Sequence, residues 1–300
     1  MGYNQAIKQN MFSYPCSRTG SPAWGAGTGL EKGSTRKKEE TPMHEQKEMW
    51  NRAAAHFQAI VREYDDGYPD KLMAFLREQN VARPGWRVAD IGCGTGKYAL
   101  RLAELGCSLL LVDIADHMMD YAKQNLAEAD VPVETAICDW SRTPLADFGW
   151  ERSVDLAFAS MTPAVRTKDD LRKLSAMSRR YCFLSRFADR TDLLPVQAAE
   201  ALGLKLPKRD HRKESRELIG WLLEDGYLPE VRLVPYGWEN LRTIDEAVEV
   251  VLNSDLGEAI RESGKQEELK QYVRTLADET GMVRETVKTT ALWVLWEVRS

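Results

Sequence analysis

The chain has 300 residues, 43% of them apolar, 29% charged and 9% aromatic, with a formal net charge of −5. That length buries a core without disulfide or metal staples, and the composition is that of an ordinary globular protein. An acidic balance argues against a surface for duplex nucleic acid, which needs a basic stripe.

Residues 1–42 show no hydrophobic period and are rich in Gly, Ser and Thr, so a disordered extension is expected there, or an upstream start with the natural chain beginning near Met43. Its "GAGTG" (25–29) has no strand before it and no amphipathic helix after it, which denies it the geometry of a ligand-binding loop. From Met43 the pattern changes. "EMWNRAAAHFQAIVREY" (48–64) spaces Trp50, Ala54, Phe57 and Val61 by three and four and predicts a helix, and a second is expected over 69–80. Short apolar strands then alternate with helical segments, the mark of an α/β domain. Strands are expected over 87–91, 108–113, 132–137, 154–160 and 180–186, with helices over 97–105, 116–128 and 168–178. A helix over 213–226 ends at Gly226, where a left-handed cap is wanted. "VRLVPYGW" (231–238) and "TVKTTALWVLWEVR" (286–299) read as the last two strands, the second burying Trp293 and Trp296. The helical pattern between them is far longer than a hairpin needs, so residues 241–285 are expected to form a lid. The division is thus an extension (1–42), a core with N-terminal cap helices (43–240), a helical insertion (241–285) and a closing strand (286–300).

Five cysteines (Cys16, Cys93, Cys107, Cys138 and Cys182) form no CxxC pair. Reduced thiols, a cytoplasmic location and no metal site are expected. The apolar run "ALWVLW" (291–296) is too short to cross a bilayer.

The chemistry concentrates in "VADIGCGTGKY" (88–98), a buried strand entering a turn with Gly92, Gly94 and Gly96 at alternate positions. A Walker loop fails here, because Lys97 is followed by Tyr98 rather than a metal-binding hydroxyl and the spacing is wrong. A dinucleotide fingerprint needs a glycine where Lys97 stands. Asp90 makes the motif DxGxGxG, and a carboxylate repels a pyrophosphate but attracts an ammonium. Asp113 ends the next strand, where it can accept from two ribose hydroxyls or cap the following helix. Asp139 follows the third strand and can accept from an adenine amino group. Three acids at three successive strand ends make one nucleoside site.

This constellation resembles the class I S-adenosylmethionine (AdoMet)-dependent methyltransferases. The resemblance rests on "VADIGCGTG" (88–96), "LLLVDIADHMMDYAKQN" (109–125), "ICDW" (137–140) and "WNRAAAHF" (50–57). It implies AdoMet as cofactor and a doubly wound, mostly parallel seven-stranded α/β sheet of order 3-2-1-4-5-7-6 with its last strand antiparallel, under a helical cap. By the same resemblance Ile114 and Met118 border the adenine, the backbone of Trp140 reaches its ring nitrogens, and the helix bearing Trp50 and Phe57 folds over the methionine end. Trp50 and Phe57 also suit a plain core role. Cys93, within the glycine turn, and Ser160, at the end of the fourth strand, complete the expected cofactor contacts. "SMTPAV" (160–165) stands where methyltransferases of nucleic acid bases carry NPPY.

No catalytic residue is fixed by the sequence; His56, Thr162 and His211 are candidates. The expected function is methyl transfer from AdoMet to a small molecule by in-line displacement, without a membrane or nucleic-acid partner. An RNA or protein methyltransferase using "KRDHRK" (208–213), or a non-catalytic AdoMet-binding module, is the rival reading.

Overall fold

A computed structural model describes residues 43–63, 67–207 and 209–298. The expected N-terminal extension with its glycine decoy and Cys16, and Lys208 of the basic cluster, lie outside the described residues.

Two helices, α1 (Met43–Glu63) and α2 (Tyr68–Glu78), precede the sheet. Alternation then runs β1 (Arg87–Ile91), α3 (Lys97–Glu104), β2 (Ser108–Asp113), α4 (Asp116–Asn125), β3 (Val133–Ile137), β4 (Val154–Ser160), α5 (Lys168–Met177), β5 (Ser178–Asp192), α6 (Leu193–Leu202), α7 (His211–Glu224), β6 (Glu230–Thr243), α8 (Ile244–Leu252), α9 (Gly257–Ser263), α10 (Gln266–Thr275) and β7 (Met282–Glu297). The seven strands lie in the order β3-β2-β1-β4-β5-β7-β6. β1 to β5 are parallel neighbours, and β7 runs antiparallel to both β5 and β6. This is the expected doubly wound α/β sheet.

Its centre is sealed on both faces, as a parallel sheet requires. On one side Val88, Leu109, Leu111, Leu156, Phe158 and Phe183 pack against α2 and α3 through Leu72, Leu76 and Leu102. On the other, Ala89, Ile91, Leu110, Ala157, Leu184 and Val294 pack against α5 and α7 through Leu171, Leu174, Leu218 and Leu222. Trp293 donates its indole N–H to the Tyr68 hydroxyl at 2.7 Å, and Trp296 donates to Ser175 at 3.0 Å, so both buried indoles are satisfied. Gly226, just past α7, has φ +83°, the left-handed cap that its position suggested.

The structure departs from the sequence reading at the far side of the sheet. β5 does not stop at 186. Its pairing with β4 ends at Ser160↔Ser185, but it continues to Asp192 against β7, past a register shift between Phe187 and Asp189. β6 reaches Thr243, and β7 begins at Met282 rather than 286. These three strands therefore project beyond the carboxyl edge of the parallel strands. They carry a separate core in which α6, α8, α9 and α10 pose Leu194, Ala198, Val251, Ile260, Leu269 and Val273 around Val283. Helix α6, unforeseen, buries Leu194, Ala198 and Leu202 four residues apart, with Pro195 in its first turn where no N–H is missed. α8 starts with a capping box between Thr243 and Glu246. Within the lobe Glu285 is buried and accepts from Arg242 at 2.7 and 2.8 Å and from Asn240 at 3.1 Å.

Candidate active site

Everything of interest lies at the carboxyl edge, where strands deliver loops and helices present their N-termini. The three glycines divide their work. A Cβ at Gly92 would lie 1.9 Å from the Thr162 hydroxyl, so that glycine makes room for the loop after β4. Gly96 caps α3 at φ +85° and packs on Ala122 of α4. Gly94, at φ +55°, meets nothing within 4 Å; it is the one that faces open space. The turn is held from behind, because Gly92 and Cys93 both donate to the Val112 carbonyl, at 2.7 and 3.1 Å.

Asp113 anchors the turn further. One carboxylate oxygen accepts from the Gly94 N–H and the other from the Ala115 N–H, both at 2.9 Å. Ala115, not Asp113, is the N-cap of α4, so the carboxylate turns the chain into the helix without capping it. Each oxygen keeps lone-pair capacity. Asp90 is only 1% exposed and its Oδ2 has no hydrogen-bond partner among the described residues. Burial, and then the charge of Asp113, push its pKa up to about 8; burial also raises that of Asp113. Two desolvated carboxylates at adjoining strand tips, one lacking any donor, form a site that a cationic group completes. Cys93 is buried, and burial followed by the nearby carboxylates raises its thiol well above the ordinary range, so it stays a thiol.

Asp139 follows β3. Its carboxylate accepts from the Ser141 N–H at 3.1 Å and lies 3.6 Å from Arg142. Trp140 is buried in the α5 side of the core, its indole N–H without a partner among the described residues. Its carbonyl and that of Thr143 both accept from Lys173 of α5, whose ammonium sits 4.4 Å over the Trp140 ring.

Helix α1 lies along α4. Asn51 donates to Asp116 at 2.8 Å and accepts from the His117 N–H at 3.0 Å. At the other end Gln58 and Asn125 exchange hydrogen bonds at 2.7 and 2.8 Å, and Asn125 also donates to the Thr95 carbonyl in the glycine turn. Trp50 and Phe57 thereby join one small cluster with Ile114, Met118 and Ala115, beside the tip of β2. His56 meets the edge of Phe57 on that helix. Ser160 is buried and shares a hydrogen bond with Ser185 of β5 at 2.8 Å. Thr162 accepts from the Ala164 N–H at 3.1 Å. His211, first residue of α7, lies edge-on to Phe187, with Nδ1 3.8 Å from Glu214; burial and then Arg209 lower its pKa. The candidates therefore fall into three groups: Asp90, Cys93, Asp113 and the glycines at the turn; Trp50, Phe57, Ile114 and Met118 under α1; and Ser160, Thr162 and His211 toward β5. The sequence reading missed Lys173 and two arginines, Arg166 and Arg186, near Arg209.

Strand order and the acid-rimmed glycine turn together define the Rossmann-like class I methyltransferase architecture. Residues 88–182, about a third of the chain, match the family described as methyltransferase domain. The chain is 29% identical over 135 residues to the ubiquinone/menaquinone biosynthesis C-methyltransferase UbiE of Bordetella avium, a match covering 41% of this chain and 53% of that protein. It is 33% identical over 70 residues to an S-adenosyl-L-methionine-dependent Diels-Alderase of Talaromyces variabilis, covering 23% of each. The chain thus spans about half or less of the length of these relatives. A Haemonchus contortus phosphoethanolamine N-methyltransferase 2, solved with phosphomonomethylethanolamine and S-adenosylhomocysteine, has the same fold: TM-score 0.50 at 15% identity, over 86% of this chain and 59% of that one.

Proposed function

We propose that the protein is an AdoMet-dependent methyltransferase acting on a small-molecule acceptor. The observation that carries the reading is the buried Asp90, without a donor at Oδ2 and beside Asp113 at the tip of the next strand. These residues fit AdoMet. Asp90 takes the methionine ammonium, directly or through water; Gly94 lets the donor lie against the backbone; Asp113 accepts from the ribose hydroxyls on its remaining lone pairs. Ile114 and Met118 flank the adenine, covered by Trp50 and Phe57, which cluster with them rather than over the methionine end as the resemblance implied, and Asp139 with the backbone of Trp140 reads its edge.

When bound, AdoMet supplies a methyl group already activated on a sulfonium. The chain's contribution is then chiefly positioning, which can supply roughly 7–11 kcal/mol, against about 3–5 kcal/mol from a general base. Ser160 and Thr162 hold the rim between donor and acceptor, Thr162 by wedging the loop after β4 against Gly92. His211 is our choice of base: its lowered pKa keeps the imidazole neutral near pH 7 and able to accept a proton. His56, on α1, belongs to the α4 side of the site. The lobe built on the projecting strands stands at the same edge and excludes water from the acceptor.

The test is thermal stabilisation by S-adenosylhomocysteine (AdoHcy), NAD and ATP, followed by transfer of labelled methyl from AdoMet. AdoHcy at 100 times its Kd adds about 2.7 kcal/mol if it is the ligand. Stabilisation by NAD or ATP instead overturns the reading, and AdoMet binding without uptake of label by any small acceptor overturns its small-molecule half, label uptake by RNA or protein then separating a macromolecular methyltransferase from a non-methylating AdoMet binder.

A further inference from the structure

The carboxyl edge holds a concentration of positive charge that the donor site does not use. Arg186 directly follows Ser185 on β5, and one of its N–H groups donates to the Val165 carbonyl at 2.8 Å. A guanidinium has five donors; no other hydrogen bond or ion pair of this side chain is formed among the described residues. The next residue after Val165 is Arg166, whose side chain makes neither. Arg209, in the segment leading to α7, is close enough to both to oppose their charge. His211 stands beside it.

The acids nearby are already engaged. Glu214 faces all four basic groups but is gripped by Arg209 at 2.8 and 3.1 Å. Asp170 faces Arg166, yet its Oδ2 accepts from the Arg166 and Thr167 N–H groups and the Thr167 hydroxyl. Asp189 lies 3.4 Å from Arg212. Arg166 is solvent-accessible while desolvation still lowers its pKa, and Arg186 is half-buried with its pKa down to about 10. The two guanidinium side chains thus meet at the Val165 carbonyl's end of the loop, one half-buried and one on the rim. In a chain of net charge −5, neighbouring guanidiniums with no acid partner among the described residues are completed by an anion.

The arginine pair adjoins the proposed donor site. Thr162 touches the Gly92 backbone, and three residues on Val165 receives Arg186; three residues of fully extended chain span at most about 11 Å.

We propose that Arg166 and Arg186, flanked by Arg209 and His211, are an anion subsite that holds the carboxylate or phosphate group of the methyl acceptor. The assignment of that anion to the acceptor rests on the methyl-transfer reading above.

The experiment titrates inorganic phosphate and benzoate into the full chain at constant ionic strength, with AdoHcy bound, by calorimetry. Saturable binding by the wild type, weakened at least tenfold in Arg166→Gln and in Arg186→Gln while AdoHcy affinity and melting temperature stay put, is the expected result. Whichever probe binds tighter identifies the anion as phosphate or carboxylate. Failure of both probes to saturate overturns the proposal, as does equal binding by the variants. If Arg186→Gln loses its fold, Arg166→Gln on the rim decides alone. Should AdoHcy not bind the wild type, the methyl-transfer reading fails first, and the same titrations without it still decide whether the anion subsite exists.

Discussion

The hydroxyl of Thr162 fills the volume that a side chain at Gly92 would need, 1.9 Å from where its Cβ would stand. The loop after β4 is thus seated on the glycine turn after β1, and the proposed donor site and acceptor rim share one contact. Gly92→Ala forces that loop away and strains a residue at φ +70°. Overpacking and the left-handed backbone together cost roughly 2–4 kcal/mol. Gly94→Ala meets no atom and costs about 1–2 kcal/mol from its backbone alone, but puts a methyl group where the donor lies. Urea denaturation should therefore show Gly92→Ala as the less stable, and calorimetry should show Gly94→Ala losing more AdoHcy affinity than its stability loss explains. Thr162→Gly combined with Gly92→Ala should recover part of the stability, a coupling that vanishes if the two residues do not touch.

In the proposed site, Asp90 should make cofactor binding pH-dependent. Its folded pKa of about 8 lies above the ordinary 3.8, so between these values the folded state holds a proton that the unfolded state has released. Asp90 thus favours folding at low pH, and this contribution is lost as pH rises from about 4 through 8. An ammonium docked on Oδ2 favours the ionised form, so binding below pH 8 expels a proton. AdoHcy affinity should rise toward pH 8 and calorimetry in buffers of different ionisation enthalpy should detect the released proton. Asp90→Asn should abolish the release, weaken binding and flatten the stability profile between pH 4 and 8. A wild type that binds AdoHcy with no proton release would falsify the pairing.

The centre of the parallel sheet was readable because its first two strands are short apolar runs closed by an acid or a glycine, β1 with Asp90 and Gly92 and β2 with Asp113, and β4 is a short, mostly apolar run. The glycine turn was equally visible, though not the division of labour within it, which depends on Thr162 arriving from β4. The outer half of β5 was not readable. Arg186, Asp189, Arg190 and Asp192 give it the polarity of a loop, and only antiparallel pairing with β7 makes it a strand. Helix α6 was hidden by Pro195 and by apolar residues on several sides, although Leu194, Ala198 and Leu202 carried a helical interval. Arg166 and Arg186 are isolated in sequence and meet because β4 and β5 are parallel neighbours. "KRDHRK" reads as a solvated cluster, yet its Arg209 faces Arg186 and its His211 stands beside Arg209. The available signal was position: Arg186 closes the expected strand over 180–186, at the carboxyl edge of the parallel pairing.

Arg242 and Glu285 are a buried pair joining β6 to β7, with side chains 2% and 8% exposed. Removing one partner leaves the other charged in the protein interior, which costs about 3–5 kcal/mol, whereas replacing both by apolar residues is often neutral. Arg242→Met should therefore destabilise strongly, and Arg242→Met with Glu285→Leu should return toward the wild type in urea. The lobe should report the loss first, seen as faster hydrogen exchange in α8 and α10 than in β1 and β2. Equal stability of the single and double variants would show that the pair is not carrying an uncompensated charge.

Lys173 should act on the nucleoside end without touching it. Its ammonium joins the carbonyls of Trp140 and Thr143 from beneath, so α5 fixes the segment that carries Asp139. Lys173→Met keeps the stem but leaves two carbonyls and the Trp140 ring without their cation, at a cost of about 1–3 kcal/mol. Freed of that clamp, residues 138–143 sample other conformations, and AdoHcy affinity should fall several-fold. The loss should track the adenine, so that adenosine weakens by the same factor while the contribution of the methionine end, read as the ratio of AdoHcy to adenosine affinity, stays constant. A variant that melts earlier but binds adenosine and AdoHcy as tightly as the wild type removes this loop, and Asp139 with it, from the nucleoside site.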